Sequence, residues 1–502
     1  MKYQKSAEVK LTSWIYTICE GLNDRRIFFM KGNQKYDNGR QLHIEEYLQE
    51  NKLETKGNVE VPSIFAVSSK EEIDTKTVTN ELLEKILSKD NLNMAFKRVK
   101  ANKGASGIDD MKVDELLQYL KENGEQIKEN IRKGKYNPKA VRRVEIPKVD
   151  GSKRKLGIPT VVDRVIQQAI VQVLSPIYEK QFSESSYGFR PKRSCEMAII
   201  RSLELMNDGY DWIVDLDLEK FFDTVNQDKL IGLIMKTVKD GEVVSLIRKF
   251  LVSGVMENGR YEPTKVGTPQ GGNLSPLLSN IMLNELDKEL EARGLNFVRY
   301  ADDCMIFVKS EKAANRVLTS ITKYIEKKLG LKVNAEKSKV SKPTGIKFLG
   351  YGFWVAKGGK YKPKPHLQSI QKLKRKLKQL TERRISISLD TRLQRINYVV
   401  RGWVNYFRIA NMKKVLAKID ERLRARIRVI IWKQWKKTKT RCDALVKLGM
   451  PIELAFNCAN TRKGYQQICK TRYIQFAINN DRLKKRGLLS LTDHYLKVHT
   501  EI

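Results

Sequence analysis

Two short stretches put carboxylates where a strand least tolerates them, and they constrain the fold more than anything else in the chain. The first is Trp212-Ile-Val-Asp-Leu-Asp-Leu-Glu-Lys-Phe-Phe-Asp223. From Val214 to Leu218 apolar and acidic residues alternate, the period-two signature of a strand, with Asp215 and Asp217 on one face. The second is Asn296-Phe-Val-Arg-Tyr-Ala-Asp-Asp-Cys-Met-Ile-Phe-Val308. Its runs Phe297–Tyr300 and Cys304–Val308 flank Ala301-Asp302-Asp303, a connection too short for anything but a tight hairpin. Taken alone, it reads equally well as a plain surface hairpin. Yet adjacent aspartates repel, and a turn needs at most one of them for its own hydrogen bonding.

Charge sharpens the point. The 502 residues include 96 Lys and Arg against 58 Asp and Glu, a formal net charge of +38. An acidic stripe in so basic a chain calls for a bound cation, and a divalent metal with phosphate meets that need. Three carboxylates from two strands suit nucleotidyl transfer, in which two metal ions about 3.5–4 Å apart stabilise charge on the transferred phosphoryl group. Between the two stretches lies Val266-Gly-Thr-Pro-Gln-Gly-Gly-Asn-Leu-Ser-Pro276, leading into an apolar helix with Leu277, Ile281 and Leu286. Gly271 and Gly272 let backbone approach a ligand closely, and Pro276 suits a first helical turn.

The positive charge is uneven. Residues 1–75 are nearly neutral, with 11 basic and 12 acidic residues, whereas residues 371–440 hold 22 basic and 4 acidic ones. Leu416, Ile419, Leu423 and Ile427 recur at helical spacing, so this segment reads as basic amphipathic helices. With Trp403, Tyr406, Phe407, Trp432 and Trp435 interleaved, it reads as a nucleic-acid surface, with Arg422, Arg424 and Arg428 as RNA-binding candidates; the alternative is a solvated face of an ordinary bundle. Residues 60–77 look like a linker, and a helix capped by Thr79 or Asn80 follows. Helices then alternate with short strands to about Val340, an α+β pattern, and beyond His366 the pattern is helical. Six scattered cysteines argue against disulfides or a zinc ribbon and for a reducing cytosol. No apolar run of about 18 residues exists, and Leu11–Leu22 is too polar for a signal peptide.

At this point Tyr300-Ala-Asp-Asp303, Pro269-Gln-Gly-Gly272 and Asp217 with Phe222 resemble three motifs of the reverse transcriptase palm. Asn102-Lys-Gly-Ala-Ser-Gly-Ile-Asp109, Leu156-Gly-Ile-Pro-Thr-Val-Val-Asp-Arg164, Ser186-Tyr-Gly-Phe-Arg-Pro191, Lys347-Phe-Leu-Gly350 and Arg401-Gly-Trp-Val-Asn-Tyr-Phe407 are similar to blocks of bacterial group II intron reverse transcriptase/maturases. The resemblance covers about residues 80–502. It implies a right-hand polymerase with fingers and palm at 76–365, an all-α thumb/maturase region at 366–440 and a helical DNA-binding tail at 441–502, after a 1–75 extension of unknown role.

The resemblance also implies site roles. Asp217, Asp302 and Asp303 would be the catalytic carboxylates binding two Mg²⁺ ions, with the Leu218 carbonyl a further ligand. Lys148, Arg154, Phe222, Gln270 and Lys337 would contact the nucleotide: Lys148 and Arg154 hold triphosphate, Phe222 blocks a ribose 2′-hydroxyl, and Lys337 serves as proton donor. Phe348, Leu349 and Gly350 would form a primer grip, and Asn91–Gly107 would contact template or intron RNA. The implied partners are group II intron RNA, an RNA template with DNA primer, target DNA and dNTPs, in a bacterial cytoplasm or nucleoid and away from membranes. Cys442, Cys458, Cys469, His494 and His499 lack the spacing of a His/Cys endonuclease, so an endonuclease-less type is expected. Two other readings compete: a non-catalytic RNA chaperone for splicing, and a defence-type reverse transcriptase with an N-terminal partner domain.

Overall fold

The computed structural model of the chain describes residues 81–147 and 153–500. The 1–75 extension, the 60–77 linker, the caps Thr79 and Asn80, and Lys148 with its hairpin turn lie outside the described residues.

In chain order the strands are β1 (Val141–Pro147), β2 (Lys153–Ile158), β3 (Trp212–Leu216), β4 (Val255–Glu257), β5 (Arg260–Glu262), β6 (Asn296–Tyr300), β7 (Asp303–Val308), β8 (Lys339–Ser341), β9 (Tyr351–Val355) and β10 (Tyr361–Pro365). The acidic stretches meet in one antiparallel sheet of order β6-β7-β3-β8. β7 is a central strand, and Cys304 to Val308 are all buried. Alternation sends Met305 and Phe307 to one face and Cys304 and Ile306 to the other. Each face has its own core. Cys304 and Ile306 pack with Val214, Leu216 and apolar residues of the helices Val161–Glu179, Gln227–Thr237 and Ser275–Ala292. Met305 and Phe307 pack with Ile213, Phe348, Tyr351 and the C-terminal helices.

The first acidic strand is shorter than its alternation predicts. β3 stops at Leu216. Leu218 makes only an isolated bridge to Val333, and Lys220 takes a left-handed φ of +45° just before the short helix Phe221–Thr224. The hairpin is tighter than expected, because Asp303 already belongs to β7 and pairs with Tyr300. The antiparallel β1–β2 hairpin forms a second sheet of order β2-β1-β4-β5.

The last strand ends at Pro365, and the His366 ring then caps the helix Leu367–Leu380 by accepting from the Gln368 N–H at 3.3 Å. Each described element from there on is helical. Leu416, Ile419, Leu423 and Ile427 are all buried on the helix Lys413–Gln434, as the spacing requires. Two features of this region differ from the sequence reading. The aromatics offered for base stacking serve the core instead: Trp403, Phe407 and Trp432 are buried, and Phe407 lies 4.8 Å, centroid to centroid, from Tyr351. Arg428 is buried too, with its Nε donating to the Ile478 carbonyl (2.7 Å) and Nη2 to Asn480 (3.0 Å). It fastens the tail to this helix, whereas Arg422 is exposed and Arg424 half-buried. The helix Thr438–Lys447 runs across the 440/441 division, and one core joins residues of β3, β6 and β7 to the C-terminal helices. Among the described residues no helix is long and apolar enough to cross a membrane.

A second fastener is Asp420. Its carboxylate accepts from the Leu491 and Thr492 N–H groups (2.9 and 2.8 Å) and from Ser490 Oγ (3.0 Å), capping the helix Leu491–Val498 from a neighbouring helix. Asp420→Ala is expected to cost about 2 kcal/mol, the scale of charge-assisted hydrogen bonds left unmade. The check is a lower melting temperature, with limited proteolysis cutting the last helix first.

Candidate active site

The β3–β7 register decides which acids meet. Its last pair is Leu216 with Cys304. One step beyond stand Asp217 and Asp303, neighbours on adjacent strands and on the same face as Asp215 and Met305. Asp302 occupies the β6–β7 turn beside Ala301. Among the described residues no three His, Cys, Asp or Glu side chains gather as a metal-holding group. The structure brings Asp217 and Asp303 to neighbouring strand ends and puts Asp302 on the adjoining turn, and it does not gather all three carboxylates into the single group that the sequence reading expected.

The backbone around Asp217 is fixed by the loop before β8. Its N–H donates to Ser338 Oγ (3.1 Å), and its carbonyl accepts from the Asn334 N–H (2.8 Å). The same loop brings Lys337 Nζ to 3.8 Å from Asp217 Oδ1. An ammonium therefore faces this carboxylate, and the carboxylate oxygens of Asp217, Asp302 and Asp303 are hard donors of the kind that divalent cations take. Asp215, two residues back, is paired in register with Lys339, and burial pushes its carboxyl up to about 6 despite that lysine. Burial lowers the Lys347 pKa, while the charge of Asp303 opposes the shift.

The glycine loop lies against both flanks of this site. The Thr268 N–H donates to the Phe222 carbonyl (2.6 Å), and a Cβ on Gly267 would stand 2.8 Å from that oxygen. Gln270 is half-buried, and its carbonyl accepts from the Gly157 N–H on β2 (2.8 Å), tying the loop to the β1–β2 hairpin. Gly271 has φ +126°, and a Cβ there would stand 2.6 Å from the Gly157 carbonyl oxygen. Arg154 is half-buried on β2. Phe222 is buried, edge-on to Phe221.

Phe348-Leu349-Gly350 forms a tight turn in which Phe348 and Tyr351 exchange both backbone hydrogen bonds. Leu349 and Gly350 take left-handed φ values of +49° and +82°. Phe348 and Leu349 are buried, so the turn presents backbone and Lys347 to the site. The Asn102–Asp109 block is clamped to the start of the helix Val161–Glu179: Arg164 and Arg142 hold the carbonyls of Ala105 and Ser106, and a Cβ on Gly107 would meet Thr160 backbone at 2.6 Å.

Sequence reasoning missed the support of the acidic turn. Arg299 on β6 and Asp287 on the helix Ser275–Ala292 are both fully buried and paired bidentately, and Gly188 presses on Ala301. The available signal was Arg299 itself, a charge inside the apolar run Phe297–Tyr300; Asp287 is one of several charged residues on its helix and gave none.

A twisted antiparallel sheet with two aspartates opposed at a strand end, a third on a two-residue hairpin and a glycine loop alongside defines the palm of a reverse transcriptase. Residues 146–353 match the family described as "Reverse transcriptase (RNA-dependent DNA polymerase)", and residues 370–449 match "Group II intron, maturase-specific domain". Protein YkfC of Escherichia coli is 32% identical over 292 residues, covering 50% of this chain and 77% of that protein. The group II intron-encoded protein LtrA of Lactococcus lactis is 33% identical over 363 residues, 59% of this chain and 60% of LtrA. A putative COX1/OXI3 intron 2 protein of Saccharomyces cerevisiae is 30% identical, over 55% of this chain and 39% of its own length. The chain belongs to the group II intron reverse transcriptase/maturase family, whose polymerases use divalent metal ions.

The approach of the Gly188 loop to the acidic turn is testable. A Cβ on Gly188 would stand 2.2 Å from the Ala301 nitrogen, a backbone atom that cannot swing aside. Gly188→Ala is expected to cost about 3 kcal/mol by overpacking. Thermal melts of the two proteins measure it.

Proposed function

We propose that this chain is an Mg²⁺-dependent RNA-directed DNA polymerase that also binds its group II intron RNA, assisting splicing and retrohoming. The observation that carries the reading is the opposition of Asp217 and Asp303 at the end of β3 and β7, with Asp302 on the adjoining turn. In this reading the three carboxylates, with the Leu218 carbonyl, hold the metal. Bound Mg²⁺ supplies charge stabilisation for the transferred phosphoryl group and acidifies the primer hydroxyl.

The chain's own residues do the rest. Arg154, with Lys148, binds dNTP phosphates by charge-assisted hydrogen bonds. Gln270 and the glycine loop line the nucleotide side, and Phe222 excludes a ribose 2′-hydroxyl. Lys337, within reach of Asp217, holds the proton that leaves with pyrophosphate. The turn Phe348-Leu349-Gly350 seats the primer strand. Fingers and palm span 76–365, thumb and maturase region 366–440, and 441–502 engages target DNA. The RNA surface is the exposed cations of the C-terminal helices, including Lys374, Arg375, Lys418 and Arg422.

Polymerase and maturase roles come apart by mutation. Replacing Asp302 and Asp303 together by Asn is expected to cut primer extension on an RNA template at least about 1,000-fold, the scale of losing preorganised charge stabilisation. Intron RNA affinity and protein-assisted splicing at low Mg²⁺ are expected to persist. A folded double variant that extends primers normally removes the catalytic assignment, and loss of splicing with extension removes the separation.

The RNA surface is read from salt dependence. Reversing the charge of Lys418 and Arg422, both exposed, is expected to lower the log–log salt slope by about one unit for each phosphate no longer neutralised. Arg428 is left in place because it is a buried tie. An unaltered slope places the RNA elsewhere.

A further inference from the structure

We propose that Arg299 is a positioning residue for nucleotide addition: locked on Asp287, its guanidinium holds the Ala301 carbonyl and so fixes the turn that carries Asp302 and starts β7. The inference rests on the reading of this turn as a polymerase centre.

Arg299 is fully buried, and all five of its N–H donors are used. Nε and Nη2 donate to the two carboxylate oxygens of Asp287 at 2.6 and 2.5 Å. Nη1 donates to Asn280 Oδ1 (3.1 Å) and to the Ala301 carbonyl (2.9 Å), and Nη2 also to Ser186 Oγ (2.8 Å). Asp287 lies on the long helix Ser275–Ala292 that follows the glycine loop. Burial works against the Arg299 charge, but the Asp287 carboxylate holds its pKa above the ordinary value. The fork therefore stays cationic and oriented at every pH the protein meets.

The turn needs such a hold. Ala301 takes φ +58°, a left-handed conformation that costs an L-residue about 1 kcal/mol and persists only where the surroundings dictate it. Two contacts dictate it here. The segment Ser185–Gly188 runs along β6, with Tyr187 and Arg299 each donating a backbone hydrogen bond across the gap, and Gly188 closes on the Ala301 nitrogen. From the other side the guanidinium takes the Ala301 carbonyl. The next residue is Asp302.

Stability alone is a poor reason for this arrangement. A buried ion pair is often replaceable by packed apolar side chains without loss of stability, because desolvation offsets the attraction. A lysine ammonium would satisfy charge but lacks the planar fork that reaches Asp287 and Ala301 together. What only arginine supplies is the link from the helix to the turn.

The test uses the full-length chain in three variants. Arg299→Met combined with Asp287→Leu removes both charges and keeps apolar volume, Arg299→Lys keeps charge without the fork, and Asp302→Asn with Asp303→Asn controls for the chemistry. Each is measured by thermal melt, intron RNA affinity, and primer extension with dNTP and Mg²⁺ titrated separately. The Met/Leu variant is expected to melt cooperatively and bind RNA as the wild type does. Its kcat is expected to fall about 100-fold, the scale of a 1 Å misplacement, with KM for dNTP changed less than about threefold. Half-saturation is expected to need several-fold more Mg²⁺, and high Mg²⁺ should restore part of the rate; Arg299→Lys is expected to follow the same split.

A cooperatively melting Met/Leu variant with wild-type kcat and Mg²⁺ dependence overturns the inference. So does failure of both Arg299 variants to melt cooperatively, since the pair is then a requirement of the fold rather than of the turn. If the Asp-to-Asn control extends primers normally, the polymerase reading falls and takes this inference with it. If the control is inactive while the Arg299 variants are fully active, only the positioning role is lost.

Discussion

A strand covered on both faces has no place for an unpaired charge except at its ends. β7 is such a strand, with one core beneath Cys304 and Ile306 and another above Met305 and Phe307. Burying an unpaired carboxylate among those side chains would cost several kcal/mol. Its acids therefore belong at the terminus, and Asp303 stands there with Asp217 opposite and Asp302 one residue before. The acids sit where the packing leaves room for them.

The same packing explains the close approaches around the site. Gly188 meets the acidic turn, Gly267 meets the Phe222 carbonyl, and Gly271 meets the Gly157 carbonyl of the fingers hairpin. At each point two backbones come nearer than any side chain permits. The loops carrying these glycines are thus set by the sheet and hairpin they touch.

Much of this was legible from local pattern. The period-two acids announced β3, the two β-rich runs announced the β6–β7 hairpin within a residue at each end, and the helical spacing of Leu416, Ile419, Leu423 and Ile427 named a buried face. What escaped was long-range or ambiguous in composition. Arg299 and Asp287 lie on a strand and a helix, and nothing local shows that they meet. Tryptophans that stack on bases and tryptophans that fill a core look alike in sequence, so Trp403 and Trp432 misled. Arg428 misled for a geometric reason: every residue from Ile427 to Trp432 is buried, because the tail packs on a second flank of the helix and widens its covered arc.

The turn at Leu349 and Gly350 has anchors that belong to the helices after it. The Leu349 carbonyl accepts from the Tyr406 hydroxyl at 2.7 Å, and the Gly350 carbonyl from Ser369 Oγ and the His366 N–H at 2.8 and 3.0 Å. Lys347, whose charge Asp303 favours, is hydrogen-bonded to Gln368 on the first of those helices. A rotation of the helical region as a body would therefore pull on the edge of the acidic centre through four hydrogen bonds.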